Sequence, residues 1–314
     1  MKPVSVQAPR GVVMIRPHHF SPNADTAADN AFQSDDRTRT AKTIAAAAHA
    51  EVSRTAAALE AAGVTVHLFE DETDTSPDSV FPNNWFSTHA GGHVAIYPMF
   101  APSRRAERRT DVIEMLKQRY RVQDVIDYSG LEQDGVYLEG TGAMVLDHLE
   151  RVAYAARSKR CNDVALERFC THFNFEPVVF DATDAAGRAI YHTNVLMCIG
   201  SDISLIGLAT IENAARRAEI RDRLEAGGRA IIDLSHRQVG AFAGNAMELQ
   251  GRGGPLLALS ARALRALDDR QRQLLERSVE ILPLDVPTIE LAGGSVRCML
   301  AGVHLSPRRS DRAA

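Results

Sequence analysis

The 314-residue chain has no apolar run approaching the roughly 20 residues needed to cross a bilayer. Its first residues, MKPVSVQAPRGVVMIRP, also lack an apolar stretch of signal-peptide length. No membrane partner is expected, and the cytoplasm is the default location. Cysteine is sparse: Cys161, Cys170, Cys198 and Cys298 stand alone, with no CxxC pair among them. That spacing fits neither a disulfide framework nor a zinc knuckle, so neither a structural metal nor a cofactor is expected. A large excess of either charge is missing too. A net charge of −4 gives no global attraction to nucleic acid or anionic lipid, and the local basic run RRAERR, 104 to 109, reads as a solvated helix start. What is present is 45% hydrophobic and 24% charged residues, the balance of a packed soluble protein with one large or two ordinary domains.

The informative feature is a period. Stretches with apolar residues at helical spacing occur at about 37–62, 103–119, 162–172, 212–226 and 260–277. Each precedes a short strand-like run: VTVHLF (64–69), RVQDVI (121–126), PVVF (177–180), RAIIDL (229–234) and VEILPL (279–284). A polar or reactive signature follows each: PNNW at Asn84, LEGTG at Glu139, YHTNV at His192, GNAM at Asn245 and VRCM at Cys298. These positions are separated by 55, 53, 53 and 53 residues. A unit of about fifty residues with one helix and several strands cannot bury its own apolar face and must stack on copies of itself. Five such units predict a closed ring of α/β class. The first four signatures lead into strand pairs, whereas CMLAGVHL runs into a polar tail, so the unpaired GVVMIRP (11–17) is expected to complete the last unit and remove a sheet edge. Residues 11–305 then form one domain, flanked by tails at 1–10 and 306–314. In a ring, equivalent loops converge on the axis, which would gather Asn84, Glu139, His192, Asn245 and Cys298.

Cysteine, histidine and a carboxylate suffice for nucleophilic catalysis. Taken singly, each has a plainer reading. A cysteine in an apolar strand is most often buried and inert, as Cys161, Cys170 and Cys198 are read here. His192, in IYHTNVLM, could equally be a satisfied core histidine. Cys298 differs in following GGSVR, where paired glycines let backbone approach a ligand and Arg297 could favour a thiolate if its side chain turned inward. Glu139, in VYLEGTGAMVL, is the hardest to dismiss, because a carboxylate is rarely left unpaired inside an apolar segment.

LEGTG, YHTNVLM, GNAMEL and RCMLAGVHL, in this order and spacing, resemble the guanidino-group-modifying superfamily of arginine deiminases, dimethylarginine hydrolases and amidinotransferases. The resemblance covers roughly residues 11–305. It implies a five-bladed α/β propeller, the pentein fold, with Cys298 as nucleophile, His192 as general acid and base, and Glu139 as the carboxylate beside them. ARSKRCN (156–162) resembles the arginine-bearing segment of dimethylarginine hydrolases, which implies Arg160 as partner of a substrate α-carboxylate. A homodimer is implied on the same ground alone. The sequence departs from arginine deiminases at two aspartates, standing as Asn84 and Asn194 here. Losing both removes counter-charges that a buried guanidinium needs, whereas an amide can both donate to and accept from a neutral ureido group. VFPNNWFSTH and MIRPHHFSPNADTAADNAFQ resemble the citrulline-utilization hydrolases most.

The expected reaction is therefore hydrolysis of a ureido or guanidino amino acid through a Cys298 thioester, citrulline giving ornithine, carbon dioxide and ammonia. Asn84, Asn194, Arg160 and Asn245 are the expected substrate contacts. Arginine dihydrolase is the close competitor, followed by deiminase or dimethylarginine hydrolase chemistry, amidino transfer, and a non-catalytic scaffold on the same ring. The polar loop 17–36 could be a lid over the mouth or an ordinary surface excursion.

Overall fold

A computed structural model describes residues 6–308. Within them the chain builds five three-stranded sheets, each with its middle strand antiparallel to one neighbour and parallel to the other. Phe86–His89, His93–Ile96 and Asp124–Asp127 form one sheet. Met144–Asp147, Val152–Ala156 and Glu176–Phe180 form the next, followed by Met197–Ile199 with Ile203–Ile206 and Ala230–Asp233, then Met247–Gln250 with Pro255–Ser260 and Glu280–Leu284. The remaining sheet joins the two ends of the chain: Gly11–Pro17 pairs antiparallel with Ala301–Gly302 and parallel with Thr65–Asp71. The final strand is shorter than the run CMLAGVHL suggests, because Val296–Met299 coils into a 3-10 turn.

Middle and outer strands are parallel, and a parallel pair needs a crossover, which a helix supplies in every unit. These helices are Ala41–Ala61, Thr110–Arg119, Asp163–Phe173, Ala214–Ala226 and the pair Ala261–Ala266 and Asp269–Glu276. Thr40, Asn162, Asn213, Ser260 and Asp268 each accept a backbone N–H at a helix start, satisfying a donor that the helix leaves free. Burial falls from first strand to last. Phe86–His89, Met144–Asp147 and Met197–Ile199 are buried at every residue, while Asp124–Asp127 has no buried residue and Ala230–Asp233 has one. The first strands are thus enclosed by neighbouring sheets on both faces.

Both expected tails are partly engaged. Gln7 is buried, donating to Leu146 O at 3.0 Å and Ile199 O at 2.9 Å and accepting from His148 N at 2.8 Å. It bridges the first strands of two sheets. Arg308 N donates to Arg119 O at 2.9 Å, and residues 309–314 of the expected C-terminal tail lie outside the described residues. Among the described residues no helix is long and apolar enough to cross a membrane.

Candidate active site

Every signature occupies one short turn just ahead of a first strand. Asn84 closes the 3-10 turn Pro82–Asn84, Glu139 caps Gly140–Ala143, His192 caps Thr193–Leu196, and Cys298 lies in Val296–Met299. The 53-residue period therefore delivers each side chain to the same place in its unit. Asn245 sits two residues before Met247–Gln250, in the equivalent position.

Cys298 is 2% exposed, and its Sγ lies 3.3 Å from the Nδ2 of both Asn194 and Asn245. Two amide N–H groups aimed at sulfur bind more strongly as it gains negative charge. Glu139 is fully buried. One of its oxygens accepts from Phe100 N at 3.0 Å, and the other lies 2.8 Å from His192 Nε2 and 3.5 Å from both Arg104 and Arg160. Burial alone would raise the Glu139 pKa. The Arg160 charge, the His192 hydrogen bond and Arg104 outweigh it and hold the group below the usual carboxylate range. Burial pushes His192 down to about 4 against the opposing pull of Glu139, so the imidazole is neutral at pH 7 and free to take a proton. With Nε2 turned to Glu139, Nδ1 faces Gly142. A Cβ there would come within 2.8 Å of Nδ1 and collide with the Asn84 side-chain amide, so only glycine leaves both side chains in place.

Arg104 corrects the reading of RRAERR. Instead of starting a solvated helix, it is 2% exposed in the turn Pro102–Glu107 and makes a two-pronged pair with buried Glu107 at 2.8 Å. With its amide oxygen turned to Arg104, Asn84 accepts from both terminal nitrogens at 3.0 Å and donates to Asn83 Oδ1 at 3.2 Å. Arg160 is equally buried and makes its own two-pronged pair with Asp29, from the loop 17–36, at 2.8 and 3.0 Å. Its guanidinium lies over the Tyr191 ring at 4.7 Å. The next loop residue, Asn30, donates to Ala292 O at 3.1 Å. Loop 17–36 is thus packed into the site.

Asn84, Arg160, His192 and Cys298 line one small cavity with Asp78 and Arg104, and the space between them is about 10 Å³, room for a single water. Asn194 and Asn245 stand behind Cys298. The Asn194 Oδ1 is buried without a partner, whereas the Asn245 amide is fully spent on Cys298 Sγ, Asn194 O and Arg297 N. Arg297 does not turn towards the nucleophile's cavity. It donates to Leu300 O and lines a separate space of about 50 Å³ among the first strands, with Ser87, His148 and Glu248.

Sequence reasoning missed Asp78, Arg104, Glu107 and Asp29. None lies on the 53-residue period, and the charge of 104–109 hides a buried Arg104–Glu107 pair among half-buried arginines. Asp78 accepts from Asn23 Nδ2 at 3.0 Å through one oxygen, while its other oxygen is buried without a partner. Among the described residues one group has metal-ligand spacing, His18, His49 and Glu70, but both Glu70 oxygens are held by Arg16.

The chain matches the family of eukaryotic N,N dimethylarginine dimethylhydrolases over residues 16–305. It belongs to that family. Membership makes it a hydrolase of carbon–nitrogen bonds within the guanidino-group-modifying superfamily. No curated protein matches it in sequence. Among solved structures, the N-terminal domain of ArgZ, an arginine dihydrolase of the cyanobacterial ornithine–ammonia cycle caught as a cysteine-to-serine variant with substrate, aligns at TM-score 0.72 and 16% identity. The alignment covers 94% of this chain and 98% of that one. AgrE bound to ornithine and NAD+ gives 0.71 at 16% identity over 95% of this chain, which spans 40% of AgrE. A dimethylarginine dimethylaminohydrolase in adduct with S-methyl-L-thiocitrulline gives 0.60 at 14% identity, covering 94% and 99%. At these identities the likeness is one of fold.

Proposed function

We propose that residues 11–305 form one catalytic domain whose five sheets close as the blades of a propeller, and that it hydrolyses citrulline to ornithine, carbon dioxide and ammonia. The observation that carries this reading is Cys298 sulfur under two asparagine amides, sharing a cavity with His192, which Glu139 holds from behind. Neutral His192 takes the thiol proton as sulfur attacks the ureido carbon. The carbon–nitrogen bond to the ornithine chain breaks, and the leaving amine takes that proton back, leaving a carbamoyl thioester on Cys298. His192 then draws a proton from water, whose oxygen displaces the sulfur, and the released carbamate decays to carbon dioxide and ammonia. Glu139 fixes the imidazole and stabilises its charged form at both turns. The orphaned Asn194 Oδ1 is an acceptor waiting for a ureido N–H. Arg160 would pair with the α-carboxylate, and the free oxygen of Asp78 would accept from the α-ammonium.

A second reading is favoured by Asp78 itself. Burial raises the Asp78 pKa, and a guanidinium entering this cavity would favour its ionised form and so regain part of the counter-charge that Asn84 and Asn194 withhold, which suits an arginine dihydrolase, the activity named for ArgZ. Incubating the protein separately with citrulline, arginine, agmatine and dimethylarginine, and following ornithine, citrulline and ammonia, separates the two. Ornithine from citrulline but not from arginine is expected. Ornithine from arginine with two ammonia would establish the dihydrolase, and accumulating citrulline would defeat both. Cys298→Ser should abolish turnover with the fold intact by circular dichroism.

A further inference from the structure

Resting on the reading of Arg160 as the α-carboxylate partner, we propose that Asp29 is a built-in surrogate for the substrate carboxylate, which must be displaced before an amino acid can bind. Asp29 Oδ2 and Oδ1 accept from Arg160 Nε and Nη2 at 3.0 and 2.8 Å, the two-pronged geometry an incoming carboxylate would adopt. The second edge of the guanidinium is not free, because Nη1 faces Glu139 Oε2 at 3.5 Å and the ring of Tyr191 covers one face. A cavity of about 10 Å³ cannot hold Asp29 and an amino acid together.

The loop is tied on both sides of Asp29: Asn23 donates to Asp78 at 3.0 Å and Asn30 to Ala292 O at 3.1 Å. Releasing Asp29 therefore frees the loop as a unit. The α-ammonium does not require Asp29, since Asp78 lines the cavity and has an oxygen without a partner. The device also selects. A ligand with an α-carboxylate replaces one anion on Arg160 by another. A decarboxylated amine either leaves Asp29 blocking the cavity or strands a buried guanidinium without its two-pronged partner, which is strongly unfavourable. Arg160, which needs an anion once Asp29 is displaced, thereby makes the site one for α-amino acids.

The test uses the full chain carrying Cys298→Ser, with and without Asp29→Asn, and measures affinities for citrulline, ornithine and agmatine by calorimetry. Apparent affinity is reduced by the fraction of molecules whose Arg160 is occupied, so removing the anion should tighten citrulline and ornithine by about tenfold, and agmatine by a similar factor because it too needs Asp29 displaced. Weaker or unchanged amino-acid binding in Asp29→Asn overturns the proposal. Hydrogen exchange supplies a reading without ligand: Asp29→Asn and Asp29→Ser should both lose protection across residues 17–36, and unchanged protection also overturns it. Failure of the proposed hydrolysis would instead appear as no turnover in the unsubstituted protein, with the exchange result still deciding the role of Asp29.

Discussion

Glu139 serves one backbone N–H, one imidazole and two guanidinium groups, so its charge is shared among partners drawn from widely separated parts of the chain. Glu139→Gln keeps the shape and removes that charge. Whichever way the amide turns, its NH₂ meets a donor. Because the carboxylate raises the His192 pKa against burial, its loss pushes the imidazole further below about 4 and makes the protonated form harder to reach when the amine leaves. We expect kcat to fall by about 10²-fold or more, measured by ornithine release, with near-ultraviolet circular dichroism unchanged. At this scale the sequence was legible where a residue was both chemically unusual for its surroundings and on the period, as Glu139, His192 and Cys298 are. Asp78 and Asp29 met neither condition. They stand in polar, turn-rich stretches, where acids ordinarily face water, and only the packing of loop 17–36 against Tyr191 and Ala292 buries the ion pair that uses one of them.

The repeated element is a helical turn, a first strand buried on both faces, a hairpin partner and a crossover to an outer strand. The signatures fall in the turn because there one unit's backbone meets the next. Gly244 shows how close that meeting is: a Cβ at this position would lie 2.5 to 2.8 Å from the backbone of Val195, Leu196 and Met197 in the preceding unit. Backbone cannot rotate aside as a side chain can. Gly244→Ala should therefore lower the thermal midpoint substantially or leave the protein insoluble, whereas Gly130→Ala, with nothing within 4 Å, should shift it little. A differential melt of the two variants reads this directly. Helices and outer strands were legible from periodicity and short apolar runs. The short turns were not, since three or four residues hold too few apolar positions to show a period.

At the level of the whole molecule, the first strands enclose a group of histidines away from the catalytic cavity. His148 stacks on His304 with centroids 4.0 Å apart, and His89 lies 6.2 Å from His148. His93, Arg151 and Arg297 also face the group electrostatically. Burial holds His89 and His148 well below 6.5 and His304 at about 4, with neighbouring positive charge acting in the same direction. The unfolded chain then binds more protons than the folded one between those values. Stability from this source is fully present above pH 6.5 and is lost as pH falls towards 4, by about 1.4 kcal/mol for each unit of depression. Urea midpoints should be flat from pH 8 to 7 and decline below 6.5, and His148→Asn should flatten the decline. An equal slope in that variant would exclude His148 as a source of the decline. The sequence by itself determined the α/β class, the repeat of about fifty residues, the joining of the chain's ends in one sheet and the reactive residues on the period, because periodicity and unusual local chemistry are written along the chain. Only the tertiary structure decided that Arg104 is buried, that Asn245 and Asn194 both support the sulfur, and that Asp29 occupies Arg160. Those outcomes depend on which unlike segments pack together and how much water they exclude, and no spacing along a chain records that.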